Sequence, residues 1–194
     1  MPDGSASFFL HRRDPASVVV AGGQLHIIPA GGFQPTTYSP LGFQEDLNLW
    51  HSIMREYSEE FLGNPEVTGA YGMYIDHTTE EPFASLQKAR RLGRARPWYL
   101  GFGLDPLTLC GEILTLTVFD AAEFDAIFRS MVTTNLEGIL VTGARAPTGV
   151  AGIPFTEAYV DRVIEGGVAP AAEACLRIAW NNRDEVLAGS ESRG

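Results

Sequence analysis

The chain has 194 residues, a length typical of one domain. Hydrophobic residues make up 45% of it and charged residues 20%, which excludes an intrinsically disordered chain and allows a normal core. The formal net charge of −10 disfavours binding to nucleic acid or to an anionic membrane, and an anionic ligand would need a cation to mediate its approach.

Neither the apolar segments nor the cysteines indicate a membrane or an oxidising compartment. No apolar run reaches the roughly 20 residues that span a bilayer, and the start has no long apolar stretch after a basic one. Cys110 and Cys175 lie among apolar residues without a partner at metal-ligand spacing, so we expect two reduced, buried thiols. We therefore expect a cytoplasmic protein with no membrane partner.

The first third of the chain contains predicted short strands and a loop. Residues 8–12 are predicted as a strand, and residues 17–29 as a hairpin that turns at Gly22-Gly23. Residues 33–44 contain two prolines, a glycine and several hydroxyl residues, which is the composition of a loop.

The clearest predicted helix follows this loop. Apolar residues recur at positions i, i+3, i+4, i+7 and i+11, which places them on one helix face: Trp50, Ile53, Met54, Tyr57 and Phe61. The sequence Gly63-Asn64-Pro65 predicts where the helix stops.

Predicted strands and helices are mixed along the rest of the chain. Strands are predicted at residues 67–76, 98–104, 113–119 and 138–142. Helices are predicted at residues 83–92, 123–132, 156–165 and 171–187. This order indicates an α/β protein, an α+β sandwich in which a mixed sheet packs between helices. We expect residues 1–188 to form a single domain and residues 189–194 to be a disordered tail.

Three carboxylates lie close together on the predicted helix. At 100° per residue, Glu56, Glu59 and Glu60 fall within an arc of about 100°. Like charges at this spacing repel one another, and near the end of a helix they also oppose its macrodipole. A bound Mg²⁺ or Mn²⁺, which takes oxygen ligands, would relieve both effects. A solvated acidic face is the alternative interpretation.

Two segments together resemble the Nudix family. Arg55-Glu56-Tyr57-Ser58-Glu59-Glu60 resembles the core of the Nudix box, and Pro29-Ala30-Gly31-Gly32 resembles the P-x-G-G that leads into the Nudix loop and helix. The order of strand, glycine pair, loop and glutamate helix is also that of the family. Residues 9–15 and 104–108 extend the likeness to Nudix-like regions of actinobacterial proteins, some of them attached to a helix-turn-helix regulatory domain.

The chain departs from the Nudix pattern in two respects. The loop between Gly32 and Arg55 is longer than in the family, and Gly63 is displaced by one residue from the box glycine. The resemblance therefore implies a divergent Nudix fold, with a long loop before the Nudix helix and extra C-terminal helices.

The resemblance implies a Mg²⁺- or Mn²⁺-dependent hydrolase of a nucleoside diphosphate linked to another group. Glu56, Glu59 and Glu60 would be metal ligands, with Glu56 or a glutamate outside the box as general base. Arg55 would hold the carboxylates in place. The alternative is a non-catalytic Nudix-fold module that senses a nucleotide-like ligand or regulates in response to it.

Further residues are implied at the edges of this site. Gly31 and Gly32 would contact the substrate, or supply a carbonyl ligand to the metal. Glu112 and Glu137 are candidates for an additional metal ligand, and each could equally be an ordinary surface or strand-end residue.

A basic segment follows one of the later predicted helices. It contains five basic residues: Lys88, Arg90, Arg91, Arg94 and Arg96. We interpret Arg90 and Arg91 as a clamp for the phosphates of a small nucleotide-like diphosphate, with Trp98 and Tyr99 able to stack on a base. A solvated helix and its trailing loop is the alternative. Nucleic acid is not expected as a partner, and a homodimer is left open.

Overall fold

A computed structural model describes residues 6–14, 23–36, 43, 47–66, 75–106, 108–135, 138–141 and 151–188. In this part the chain is mixed α/β with small antiparallel sheets and six helices, so the predicted α/β class is confirmed, whereas the Nudix fold stays a prediction. None of these helices is long and apolar enough to cross a membrane. Residues 17–22 of the predicted hairpin, most of the predicted strand at residues 67–76, Glu137 and the tail 189–194 lie outside the described residues.

A four-stranded antiparallel sheet is built around the second strand. Its strands, in spatial order, are β3 (Leu25–Ile27), β2 (Leu10–Arg13), β7 (Gly138–Val141) and β6 (Thr134–Asn135). On β2, His11 lies opposite His26 of β3 and Leu140 of β7. A separate pair joins β1 (Ser7–Phe8) to β8 (Ile153–Pro154).

A long hairpin forms the third sheet. Strands β4 (Ala95–Leu104) and β5 (Gly111–Phe119) pair antiparallel, with a register shift between Tyr99 and Gly101. Gly101 has a φ of +147°, which favours glycine at this irregularity. The expected single mixed sheet is therefore not what the described strands form. All the described strands pair antiparallel, and the one parallel pairing described is an isolated bridge between Leu25 and Val168.

Helix α1 (Leu49–Glu60) confirms the clearest sequence prediction. Its N-cap is Asn48, whose Oδ1 accepts hydrogen bonds from the backbone N–H groups of Trp50 and His51 at 3.0 and 3.3 Å. At the other end, Gly63 has a φ of +67° and its N–H donates to the carbonyl of Glu59. The glycine therefore ends the helix as predicted.

The remaining helices are α2 (Phe83–Arg91), α3 (Ala121–Ile127), α4 (Glu157–Glu165), α5 (Pro170–Asn181) and α6 (Arg183–Ala188). Helix α3 begins and ends earlier than the predicted residues 123–132. The predicted helix at residues 171–187 is two helices divided at Asn182. The amide of Asn182 donates to the carbonyl of Ile178 at 2.8 Å, and such a local side-chain bond competes with helix continuation.

The main core is aromatic and lies beneath α1. Tyr57 and Phe61 stack at 5.5 Å between ring centroids, and both contact Phe128 after α3. Each such pair contributes roughly 0.5–1.5 kcal/mol beyond simple burial. Burial raises the pKa of Tyr57, and its hydroxyl forms a hydrogen bond with Thr117 of β5. These contacts determine which side of α1 faces the hairpin. The positions of the glutamates around α1 follow from that orientation.

Candidate functional site

Glu60 joins the end of α1 to both the sheet and the glycine loop. Its Oε2 accepts a hydrogen bond from the Ala30 backbone N–H at 3.3 Å, and its Oε1 lies 3.5 Å from Nδ1 of His11. Glu60 is only 2% exposed, so a solvated acidic face is not an interpretation that applies to it. A carboxylate this deeply buried needs polar partners, and the Ala30 N–H supplies one to Oε2, whereas the contact of Oε1 with His11 is longer than an ordinary hydrogen bond. Its role as a metal ligand stays a prediction.

Glu56 lies directly against the backbone of Gly31. A Cβ placed on Gly31 would overlap the carboxylate carbon and both oxygens of Glu56. The next glycine, Gly32, has more space, because the nearest atom to its Cβ would be Cδ of Gln34 at 3.4 Å. Residue 31 must therefore be glycine for the loop to approach this carboxylate so closely. The structure thus brings together the two predicted segments, P-x-G-G and the glutamate helix.

Arg55 connects α1 to the same loop. Its Nη2 donates to the carbonyl of Gln34 at 3.1 Å and to the hydroxyl of Ser52 at 3.3 Å, and the residue is buried. The bond to Gln34 holds the loop that carries Gly31 against the helix, and the bond to Ser52 lies within α1. The predicted action of Arg55 on the carboxylates themselves stays a prediction, whereas its hold on the loop is observed.

Glu59 is half-buried and lies one helical turn from Glu56. Among the described residues, no group of three or more histidine, cysteine, aspartate or glutamate side chains is arranged to hold a metal ion. Glu56 and Glu59 are thus related by helical spacing, while the buried Glu60 lies against His11 and Ala30.

Glu112, predicted as an additional ligand, lies near the turn end of the β4–β5 hairpin. Burial raises the pKa of Glu112, the neighbouring Asp105 raises it further, and Arg13 acts in the opposite direction. Nothing in the described part of the chain joins Glu112 to the carboxylates of α1 in one metal-holding group. Glu137, the other candidate, is outside the described residues.

The structure divides the basic segment into two kinds of residue. Arg94 pairs with Glu123 at 3.0 Å, and Arg96 pairs with Asp120 at 2.9 Å, so both are paired with acids at the start of α3. The guanidinium carbon of Arg90 instead lies 5.6 Å from the ring centroid of Trp50. Arg91 is exposed. Arg94 and Arg96 are therefore engaged within the protein, and Arg90 is the member with an aromatic contact. The predicted clamp of Arg90 and Arg91 stays a prediction.

Two histidines that sequence reasoning did not select lie next to the site. His11 is buried beside Glu60, and His26 lies opposite it on the neighbouring strand. Burial lowers the pKa of His26 to about 4, and the nearby Arg13 and His11 lower it further. The only signal in the sequence is a histidine in each of two short strands. Without the strand pairing, nothing indicates that these histidines meet.

No protein-family model, curated protein or solved structure matches this chain. The α/β class therefore stands on the described strands and helices themselves. The Nudix resemblance stays a prediction that depends on the glycine loop and the glutamate helix.

Proposed function

We propose that the chain is a divalent-cation-dependent hydrolase of a nucleoside diphosphate linked to another group. The observation that carries this proposal is the position of Glu56 against Gly31. It places a half-buried carboxylate beside a backbone loop, with Glu59 one helical turn away. Carboxylate and backbone carbonyl oxygens are the ligands that Mg²⁺ and Mn²⁺ prefer.

The small number of clustered carboxylates is compatible with this proposal. Mg²⁺ is commonly held by one or two carboxylates together with waters and substrate phosphates, rather than by a complete protein cage. Glu56 and Glu59 are the two residues that would hold it here. A bound cation would neutralise the diphosphate and orient a water molecule for attack on phosphorus.

The surrounding residues would keep these two carboxylates in position. Arg55 and Glu60 both bind the loop that carries Gly31, through Gln34 and Ala30 respectively. Because Gly31 limits where the Glu56 carboxylate can lie, the position of the loop sets the position of the carboxylate. Arg55 and Glu60 would therefore act as positioning residues, with Glu60 contributing through burial rather than through contact with substrate.

Hydrolysis can be tested with a panel of nucleoside diphosphates linked to sugars, nucleosides or phosphates, in Mg²⁺, Mn²⁺ or EDTA. We expect cation-dependent cleavage by the wild type, and kcat lowered on the order of 10²–10³-fold in Glu56→Gln and in Glu59→Gln. Glu66→Gln, an exposed carboxylate just beyond α1, is the matched control and should keep wild-type turnover. Full turnover by the Glu56→Gln/Glu59→Gln variant would overturn the assignment.

A second candidate is a binding module that recognises a nucleotide-like ligand without cleaving it. The burial of Glu60 against His11 and Ala30 favours it, because a glutamate engaged in this way supports the fold without any chemistry. This candidate predicts that the same panel produces a ligand-dependent rise in Tm and no cleavage in either cation.

A further inference from the structure

A cleft opens between the N-terminal half of α1, the end of α2 and strands β4 and β5. Its volume is about 240 Å³. The cleft is lined by buried Trp50 and Ile53 from α1, by Arg90 from α2, and by residues of the hairpin. Pockets for drug-sized ligands occupy roughly 300–1,000 Å³, so this cleft suits a smaller group such as one planar ring system.

Strand alternation identifies the hairpin side chains that face this cleft. Thr117 meets the hydroxyl of Tyr57, so its side of β5 faces α1. Thr115 is two residues away and shares that side, and Tyr99 lies directly opposite Thr115 in the pairing. Tyr99 therefore projects on the helix side of the hairpin, where it is 64% exposed. An aromatic ring this exposed beside a cleft provides a surface on which another ring can stack.

The opposite boundary of the cleft is fixed in place. The indole N–H of Trp50 donates to Oε1 of Gln87 at 2.9 Å, which ties α1 to α2. The guanidinium of Arg90 lies 5.6 Å from the Trp50 ring, so it is held at the opening of the cleft. Both contacts with Trp50 therefore place residues of α2, Gln87 and Arg90, beside the cleft.

The polar groups of the cleft favour a ligand that carries hydrogen-bond acceptor atoms over a ligand that carries a positive charge. Asn48 uses its Oδ1 to cap α1, which leaves its amide N–H groups to offer to a ligand. Thr115 adds a hydroxyl. In the described part of the chain no carboxylate lies within salt-bridge distance of Arg90, whereas Arg94 and Arg96 are paired. A positively charged ligand is thus disfavoured, and a ring with acceptor atoms beside an anionic group is favoured.

We propose that this cleft binds the planar heteroaromatic ring of a ligand by stacking on Tyr99, while Arg90 contacts an adjoining phosphate or carboxylate. The choice of a nucleotide as the first probe rests on the proposed function. Binding of a ring in this cleft does not rest on the proposed function. The cleft lies at the N-terminal end of α1, whereas Glu59 lies at the C-terminal end of that helix. A nucleotide and an aromatic carboxylate share the required chemistry, so both are tested.

The experiment is calorimetric titration at fixed ionic strength in EDTA, which makes binding independent of hydrolysis. The probes are AMP, UMP and indole-3-acetate, with ribose 5-phosphate as an anion that lacks the ring. We expect at least one ring-bearing probe to bind about tenfold or more tightly than ribose 5-phosphate. AMP or UMP as the tighter ligand identifies a nucleotide site, and indole-3-acetate as the tighter ligand identifies an aromatic-acid site.

Variants then test the two assigned contacts. Tyr99→Ala and Arg90→Ala should each weaken binding of the best probe by about tenfold or more. Tyr99→Phe keeps the ring, and Lys88→Ala removes an exposed charge from the helix that carries Arg90, so both should bind within about twofold of wild type. Both altered positions are exposed, and unchanged Tm values confirm folding. Probes no tighter than ribose 5-phosphate, or wild-type affinity in Tyr99→Ala and Arg90→Ala, would overturn the proposal, whatever the hydrolysis assay gives.

Discussion

The carboxylate of Glu56 occupies the space beside Gly31 into which any other residue at that position would project its Cβ. This relationship connects a loop and a helix that lie far apart in the sequence. Both segments carry the Nudix resemblance, and their contact is the geometric basis of the proposed cation site. The same contact distinguishes Gly31 from its neighbour Gly32, although the sequence alone does not tell the two glycines apart.

Gly31→Ala should displace the Glu56 carboxylate. Because the end of a glutamate side chain is flexible, we expect the fold to persist while Mn²⁺ affinity falls on the order of tenfold, as for other residues that orient metal ligands. Gly32→Ala is the matched control, since the new Cβ would meet Gln34 at an ordinary 3.4 Å. The measurement is Mn²⁺ titration of both variants. Equal affinities in the two would contradict a role for the Gly31–Glu56 contact.

Glu60→Ala should destabilise the protein. The change leaves buried His11 and the Ala30 N–H without the carboxylate, at a cost of at least about 2 kcal/mol in the free energy of unfolding. Urea denaturation measures this cost. Glu59→Ala, on the same helix turn but half-buried, should cost less than about 1 kcal/mol. If the two variants are equally stable, Glu60 does not have the structural role that its contacts indicate.

Helix α1 shows how much of the site the sequence could predict. Its apolar period, Asn48 at its start and Gly63 at its end are all local signals, so its position follows from the sequence. The environment of Glu60 is not a local property. The helical period places Glu60 nearer to the apolar face than Glu59, but nothing within the helix identifies its contact with His11 on β2, which depends on long-range packing.

The sheets and the basic segment also depend on long-range contacts that local sequence patterns do not indicate. Strand β2 pairs with β7, which follows it by more than a hundred residues, and no local pattern indicates that register. Likewise, Arg94 and Arg96 look like Arg90 in sequence. Their acidic partners, Glu123 and Asp120, come from a different segment, so only the folded structure separates paired from unpaired cations.

Stability should fall on acidification because of His26. Its folded pKa of about 4 is below the ordinary value of 6.5, so between these values the unfolded chain binds more protons and stability is lost as pH decreases. The loss attributable to His26 by pH 4 is up to about 3 kcal/mol. We expect His26→Gln to lose less stability than wild type between pH 6.5 and 4.5 in denaturant titrations. Parallel pH profiles of the two proteins would contradict this account.

Arg96→Ala should lower the free energy of unfolding more than Arg91→Ala does. The Arg96 guanidinium bonds to the carbonyl of Gly93 at 3.0 Å and to Asp120 at 2.9 Å, and losing both should cost about 1–2 kcal/mol. Exposed Arg91→Ala should change the free energy of unfolding by less than about 0.5 kcal/mol. Thermal and urea unfolding of both variants provide the comparison. An Arg96→Ala variant as stable as Arg91→Ala would show that the pair with Asp120 does not support the fold.

The most direct test of the cation site is Mn²⁺ binding, followed by the electron paramagnetic resonance signal of free Mn²⁺. We predict that the wild type binds Mn²⁺, and that Glu56→Gln/Glu59→Gln weakens this binding at least about tenfold while the protein stays folded. Glu66→Gln, the exposed control, should bind as the wild type does. Equal Mn²⁺ binding by wild type and the double variant, or no binding by wild type, would contradict the site.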